Sequence, residues 1–102
     1  MSKEGWERVP SSIIPKTEAY TATAMDKLIL CDATGGGFTV TLPAASGIVG
    51  REYIIKKIDS SANSVKVDGN GSETLDGVTD VDLYDQYELV KVMCDGSNWH
   101  IL

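Results

Sequence analysis

A chain of 102 residues has room for one domain with its own core and too little for two. Apolar residues at 42% and charged residues at 24% exclude a disordered or collagen-like chain. A net charge of -6 argues against nucleic acid as a partner, because cationic neutralisation of phosphates supplies most of that affinity.

In chain order, residues 1–17 come first and read as an extended N-terminal arm. Pro10 and Pro15 bracket Ser11 to Ile14, and proline denies that stretch a place inside a sheet. Trp6, Val9, Ile13 and Ile14 make this arm apolar enough to dock on something, the alternative being an unpacked terminus. Met1 to Pro10 lacks the apolar stretch of a signal peptide, and no window reaches the roughly 18 apolar residues of a membrane span, so a membrane is not an expected partner.

From residue 18 onward a single β-sandwich domain is expected. Lys27 to Cys31 and Gly37 to Leu42 are the first strands, and the second alternates, with Phe38, Val40 and Leu42 on one face and Thr39 and Thr41 on the other. The glycine-rich turn Asp32 to Gly36 predicts a hairpin between them. Glu52 to Ile58 and Ser64 to Val67 predict a second hairpin across the polar loop Asp59 to Asn63. Thr79 to Tyr84, Tyr87 to Cys94 and Asn98 to Leu102 complete seven strands, with no helical periodicity anywhere. The class is all-β, an antiparallel β-sandwich or jelly-roll-like module.

Two of these strands are apolar on both sides. Tyr53 and Ile55 oppose Ile54 and Ile58, and Leu89 and Met93 oppose Val90, Val92 and Cys94. One face of a strand in a small antiparallel domain normally meets water, so a second apolar face asks for a second cover. With no helix to supply it, self-association is expected, and Tyr53, Ile55, Leu89 and Met93 are the candidate subunit-interface residues. A bent sandwich covered by its own arm is the alternative.

Site chemistry is sparse. Asp68, Asn70, Ser72 and Thr74 space their oxygens like a calcium loop, but Glu73 stands where such a loop needs glycine and Thr79 where it needs a bidentate carboxylate. A glycine-rich turn is expected instead, and no metal or cofactor. Seven acids and no base lie between Asp68 and Glu88, whereas Arg51 to Lys66 holds four bases. That segregation suits solvated outer faces that protect sheet edges, or the steering of a basic partner. Lys56 and Lys57 are expected to snorkel along an interface. His100, the one histidine, falls on an outward strand position, and no serine sits in a nucleophile elbow, so the chain is not expected to be an enzyme. Cys31 and Cys94 are expected as buried thiols, with a long-range disulfide as the alternative. Tyr20, Tyr53, Tyr84, Tyr87 and Trp99 are expected to fill the core, and an exposed subset would suit sugar stacking.

The phrases CDATGGGFTVTLPAAS (Cys31 to Ser46), YIIKKIDSSANSVKVDGNGSETLDG (Tyr53 to Gly77) and MCDGSNWHIL (Met93 to Leu102) carry a resemblance. Over Tyr20 to Leu102 the chain resembles a small β-rich module of tailed-bacteriophage virion structural proteins, of capsid decoration, head fibre or tail fibre type. The resemblance implies a non-enzymatic, usually trimeric building unit made in the host cytoplasm and displayed on the particle surface. Its partners would be copies of itself and the major capsid protein or another virion protein. Read as complete from Met1 to Leu102, without a long shaft, the chain is expected to be a capsid decoration or short head-fibre protein held by its arm. A tail fibre or tail-tip module that binds a host receptor or glycan is the alternative.

Overall fold

The computed structural model describes residues 13–102. Trp6 and Val9 of the expected arm lie outside these residues. Among the described residues nine strands form in order: β1 (Ile13–Lys16), β2 (Tyr20–Thr21), β3 (Leu28–Cys31), β4 (Phe38–Thr41), β5 (Glu52–Lys57), β6 (Val65–Asp68), β7 (Asp80–Leu83), β8 (Leu89–Cys94) and β9 (Trp99–Ile101). They make a five-stranded sheet, β1-β3-β5-β8-β9, and a four-stranded sheet, β2-β4-β6-β7. Among the described residues there is no helix.

All seven strands expected from the sequence are present, but the two hairpins are not. The chain passes from one sheet to the other at each of those turns, so β3 pairs in parallel with β1 and β5, while β4 pairs in parallel with β2 and β6. Only β5 with β8, β6 with β7 and β8 with β9 are antiparallel. The sheets are therefore mixed, which corrects the antiparallel expectation. Residues 13–68 coil through three successive rungs, and the last three strands close the coil with reversed pairing.

Side-chain hydrogen bonds between stacked turns explain why these loops bridge the sheets. Asp59 in the β5–β6 turn accepts the Ala33 N–H of the β3–β4 turn at 2.7 Å, and Asn63 Nδ2 donates to the Ala33 carbonyl at 2.8 Å. Gly37 sits where an added Cβ would lie 2.7 Å from the Ser64 carbonyl, so the turns stack only because that residue has no side chain.

β1 corrects the reading of the proline-bracketed stretch, because Ile13 and Pro15 both belong to a strand. It is an edge strand, the one sheet position proline tolerates. The Lys16 carbonyl accepts from the Asp32 N–H at 2.9 Å, which turns the Pro15 nitrogen, one residue earlier, away from β3.

Inward residues of both sheets fill one core. Ile29, Cys31, Tyr53, Ile55, Val90, Val92, Cys94 and Trp99 come from the five-stranded sheet and Val40, Val65, Val67 and Leu83 from the four-stranded one. Trp99 packs edge-on to Tyr53 at 5.6 Å between ring centroids, and its Nε1 donates to Glu73 Oε1 at 3.1 Å. Glu73 also accepts from the Ala45 N–H, so the acid that spoils the calcium pattern serves as an internal rivet.

The coil gives the domain two ends. One carries the turns at 32–37 and 58–64, the β7–β8 arch at 84–88 and the chain end at Leu102. The other carries Ile13, where β1 begins, and the turns at 42–51, 69–79 and 95–98.

Candidate functional surfaces

The two outer faces of the domain differ in chemistry. On the four-stranded sheet, Thr39, Thr41, Lys66, Asp68, Asp80 and Asp82 point outward, and Lys66 Nζ bridges Asp80 at 3.2 Å and Asp82 at 3.3 Å. Three of the seven acids between Asp68 and Glu88 thus occupy an ordinary solvated face, weakly cross-linked by one base.

On the five-stranded sheet the outward positions of β1, β3 and β5 are largely apolar. Register places Ile13, Leu28 and Ile54 side by side in one line, with Lys91 following, and Pro15, Leu30, Lys56 and Leu89 in the next. Met93 faces outward between Glu52 and His100. Ile13 is 57% and Leu89 49% exposed, and Leu28, Leu30, Ile54 and Met93 are half-buried. Five strands at about 4.8 Å spacing make this face about 20 Å wide. Glu52 is paired with Lys27 at 3.3 Å and Lys91 at 3.5 Å, leaving the margin of the face basic.

This arrangement corrects part of the expected interface. Tyr53 and Ile55 have no exposed surface in the single chain and belong to its own core, opposite Val92 and Val90. The alternation of the strand holds, but the side carrying Tyr53 and Ile55 is the inner one. Leu89 and Met93 do lie on the open side, joined there by Leu28, Leu30 and Ile54. Of the arm residues, Ile13 is exposed at the sheet edge and Ile14 packs against the core.

Lys57 corrects a second expectation. It lies on the inner side of β5 with no exposed surface instead of snorkelling outward. Its ammonium donates to the Asp59 carbonyl at 2.9 Å, to Asp59 Oδ2 at 3.0 Å and to the Ser61 carbonyl at 2.9 Å, so all three donors are used. Asp59 in turn accepts from the Ala33 N–H, the Ser61 N–H and the Ser61 hydroxyl. Burial raises the Asp59 carboxyl, but the Ser61, Ala33 and Lys57 donors together outweigh it and hold the group well below its ordinary value. A second buried acid, Asp26, accepts the Tyr20 hydroxyl at 2.6 Å and the Thr23 N–H at 2.9 Å. The Asp26 hydrogen bond, with some burial, pushes the Tyr20 phenol up to about 12.

His100 is exposed on β9 and pairs with Asp95 at 2.7 Å. Donors from the Asn98 backbone, the His100 ring and the Ser97 backbone lower the Asp95 carboxyl to about 2. Cys31 and Cys94 are both buried free thiols, and burial pushes the Cys31 thiol up to about 12. Cys94 Sγ lies 3.0 Å from the Ala45 carbonyl.

The aromatic residues divide. Tyr53 and Trp99 are core, whereas Tyr84 and Tyr87 stand 58% and 61% exposed on the β7–β8 arch. Their separation of three residues was visible in the sequence, but their exposure was not, because it depends on how the arch is fastened to β5. Comparison with protein-family models, with curated proteins and with solved structures finds no match.

Proposed function

We propose that the chain is a non-enzymatic structural protein of a tailed-bacteriophage particle. In this reading it is a β-sandwich-type module that assembles as a homotrimer and attaches to the capsid or another virion surface through its N-terminal segment, as a decoration or short head-fibre protein. The observation that carries the reading is the contrast between the two outer faces. One is polar and ion-paired throughout, whereas the other presents Ile13, Leu28 and Ile54, with Pro15 and Leu30 in the next row, in register across three neighbouring strands, and Leu89 and Met93 beyond Lys56 and Lys91. A contiguous apolar face of this kind suits burial against copies of the same chain, with the apolar sides turned toward a common axis. The sequence resemblance over Tyr20 to Leu102 supplies the trimer and the particle.

The chemistry supports a structural part in two further ways. The buried ionisable groups Asp26, Lys57 and Asp59 are each satisfied by partners that tie turns together. The histidine is exposed, and its ring lies 2.7 Å from Asp95 and 3.9 Å from Asp76, an ion-pairing position at a surface turn. The test is a mass-spectrometric inventory of purified heads and tails, combined with deletion of residues 1–12, which leaves β1 in place. The expected result is the protein on heads, with the deletion abolishing particle binding and leaving the oligomer intact. Absence from both inventories, or full particle binding by the deletion variant, would contradict the reading.

A further inference from the structure

Four strands bound the two sheets, and three of them are closed to further pairing. β1 carries Pro15, whose nitrogen lies on the open side and has no hydrogen to offer. β9 is flanked by residues 74–76: the Trp99 N–H donates to the Thr74 carbonyl at 2.8 Å, the Trp99 carbonyl accepts from the Asp76 N–H at 3.0 Å, and Asp76 Oδ1 accepts the Ile101 N–H at 3.1 Å. β2 is two residues long and offers little to pair with. β7 has no such device, and among the described residues no strand lies beyond it.

The ladder fixes which groups of β7 face that edge. The Gly69 N–H donates to the Thr79 carbonyl at 3.2 Å, which makes these two residues a hydrogen-bonded pair of the antiparallel β6–β7 ladder. Bonded pairs alternate with unbonded ones, so Val67 with Val81 and Val65 with Leu83 are bonded, while Asp68 with Asp80 and Lys66 with Asp82 are not. The Asp68 carbonyl accordingly accepts from the Leu42 N–H at 2.8 Å, on the β4 side. The N–H and C=O groups of Asp80 and Asp82 therefore point away from β6, into the open edge. Next in the series, the Tyr84 N–H is capped by Glu88 Oε1 at 2.7 Å, which ends the open stretch.

This edge borders an apolar notch. The five-stranded sheet exceeds the other by one strand, so no strand stands opposite β9. Ile101 shares the inner side with Val92 and Trp99, which are buried, yet it is 36% exposed. Val81, on the inner side of β7 beside the buried Val67, is likewise covered only in part.

We infer that the β7 edge takes an extended, basic segment of a partner protein as a fifth strand of the smaller sheet. Its backbone pairs with Asp80 and Asp82, its apolar side chains turn inward onto Val81 and Ile101, and its alternate Lys or Arg side chains turn outward beside the two carboxylates. Charge selects this occupant. On that outer face Lys66 alone balances Asp68, Asp80 and Asp82, so a basic strand is attracted. A second copy pairing β7 with β7 would set acids against acids. Residues 1–12 of the same chain join the fold at β1, the sheet edge farthest from β9. The edge belongs to the sheet that does not carry the apolar outer face, so this inference does not rest on the proposed assembly.

The experiment is titration of the isotope-labelled full chain with a blocked heptapeptide of alternating lysine and valine, and with the matching glutamate and valine peptide as control, read by NMR amide shifts and hydrogen exchange. The lysine peptide is expected to shift the Asp80 and Asp82 amides most and, at saturation, to slow their exchange by about tenfold or more. The glutamate peptide is expected to bind at least about tenfold more weakly at low salt. Asp80→Asn with Asp82→Asn keeps the side-chain shapes and is expected to shrink that difference to about threefold or less. Ile101→Ser, at a position already partly exposed, is expected to weaken the lysine peptide by about threefold or more. No shift at Asp80 and Asp82 with millimolar lysine peptide, or equal binding of both peptides, would overturn the proposal. So would slow exchange of the two amides in the free chain, which would put a second copy or residues 1–12 on the edge. Failure here with an intact trimer leaves the structural reading standing, and strand binding by a lone protomer would do the reverse.

Discussion

Removing the Asp59 carboxylate is the most revealing single perturbation of the fold. Asp59→Ala deletes acceptors for Lys57 Nζ, the Ala33 N–H, the Ser61 N–H and the Ser61 hydroxyl, and leaves a fully buried ammonium with only two carbonyls. Breaking a buried ion pair from one side costs about 3–5 kcal/mol. Against the roughly 5–15 kcal/mol total of a small domain, that loss is a large share. Lys57→Met is gentler, at about 1–3 kcal/mol, because it leaves Asp59 its three other donors and fills the space with an apolar chain of similar length. The double variant should cost less than the sum of the two, with a coupling of about 1 kcal/mol or more. Urea unfolding followed by tryptophan fluorescence at one fixed protomer concentration measures all four corners of the cycle. An Asp59→Ala cost below about 1 kcal/mol, or strictly additive single effects, would refute the idea that this pair fastens the stacked turns. The same carboxyl sets an acid limit. Its folded value lies below the ordinary 3.8, so its stabilisation is complete above that pH and disappears as pH falls through the folded value. Asp59→Asn should flatten the acid side of the stability profile.

The buried thiols and one tight turn provide further checks. Native protein should give no reaction of Cys31 or Cys94 with Ellman's reagent at neutral pH and two equivalents after unfolding, since both are buried and the Cys31 thiol is held protonated. Gly69→Ala should destabilise by about 1–3 kcal/mol in thermal unfolding, because its Cβ would run into the Glu73 carbonyl oxygen. A neutral result there would mean that the turn shifts freely.

Strand positions were legible in the sequence because alternation such as Phe38-Thr39-Val40-Thr41 reports which residues face inward whatever the strand pairs with. Pairing was not legible for the same reason. A five-residue polar loop serves a hairpin and a sheet-to-sheet turn equally well, and only side chains such as Asp59 and Asn63, reaching across to Ala33, decide between them. One signal did lie in the chain. Leu28 and Ile54 occupy equivalent places at an offset of 26 residues, and Phe38 and Val65 at an offset of 27, so the second and third rungs repeat at nearly one spacing, although the first step is shorter, Ile13 to Leu28 being 15. Doubly apolar strands announced a second apolar face, but the choice between Tyr53 with Ile55 and Ile54 with its neighbours as the inner one required the second sheet. Lys57 gave no warning of burial, since its partners lie in the loop that follows it.

Sedimentation equilibrium of the full chain at micromolar concentration tests the central claim, that the apolar outer face of the five-stranded sheet is shared between copies of the chain. The account predicts a species of three times the 11.0 kDa chain mass, and a folded monomer for Leu30→Lys and Ile54→Lys. A stable single chain in the unsubstituted protein, or a trimer indifferent to both lysines, would contradict it.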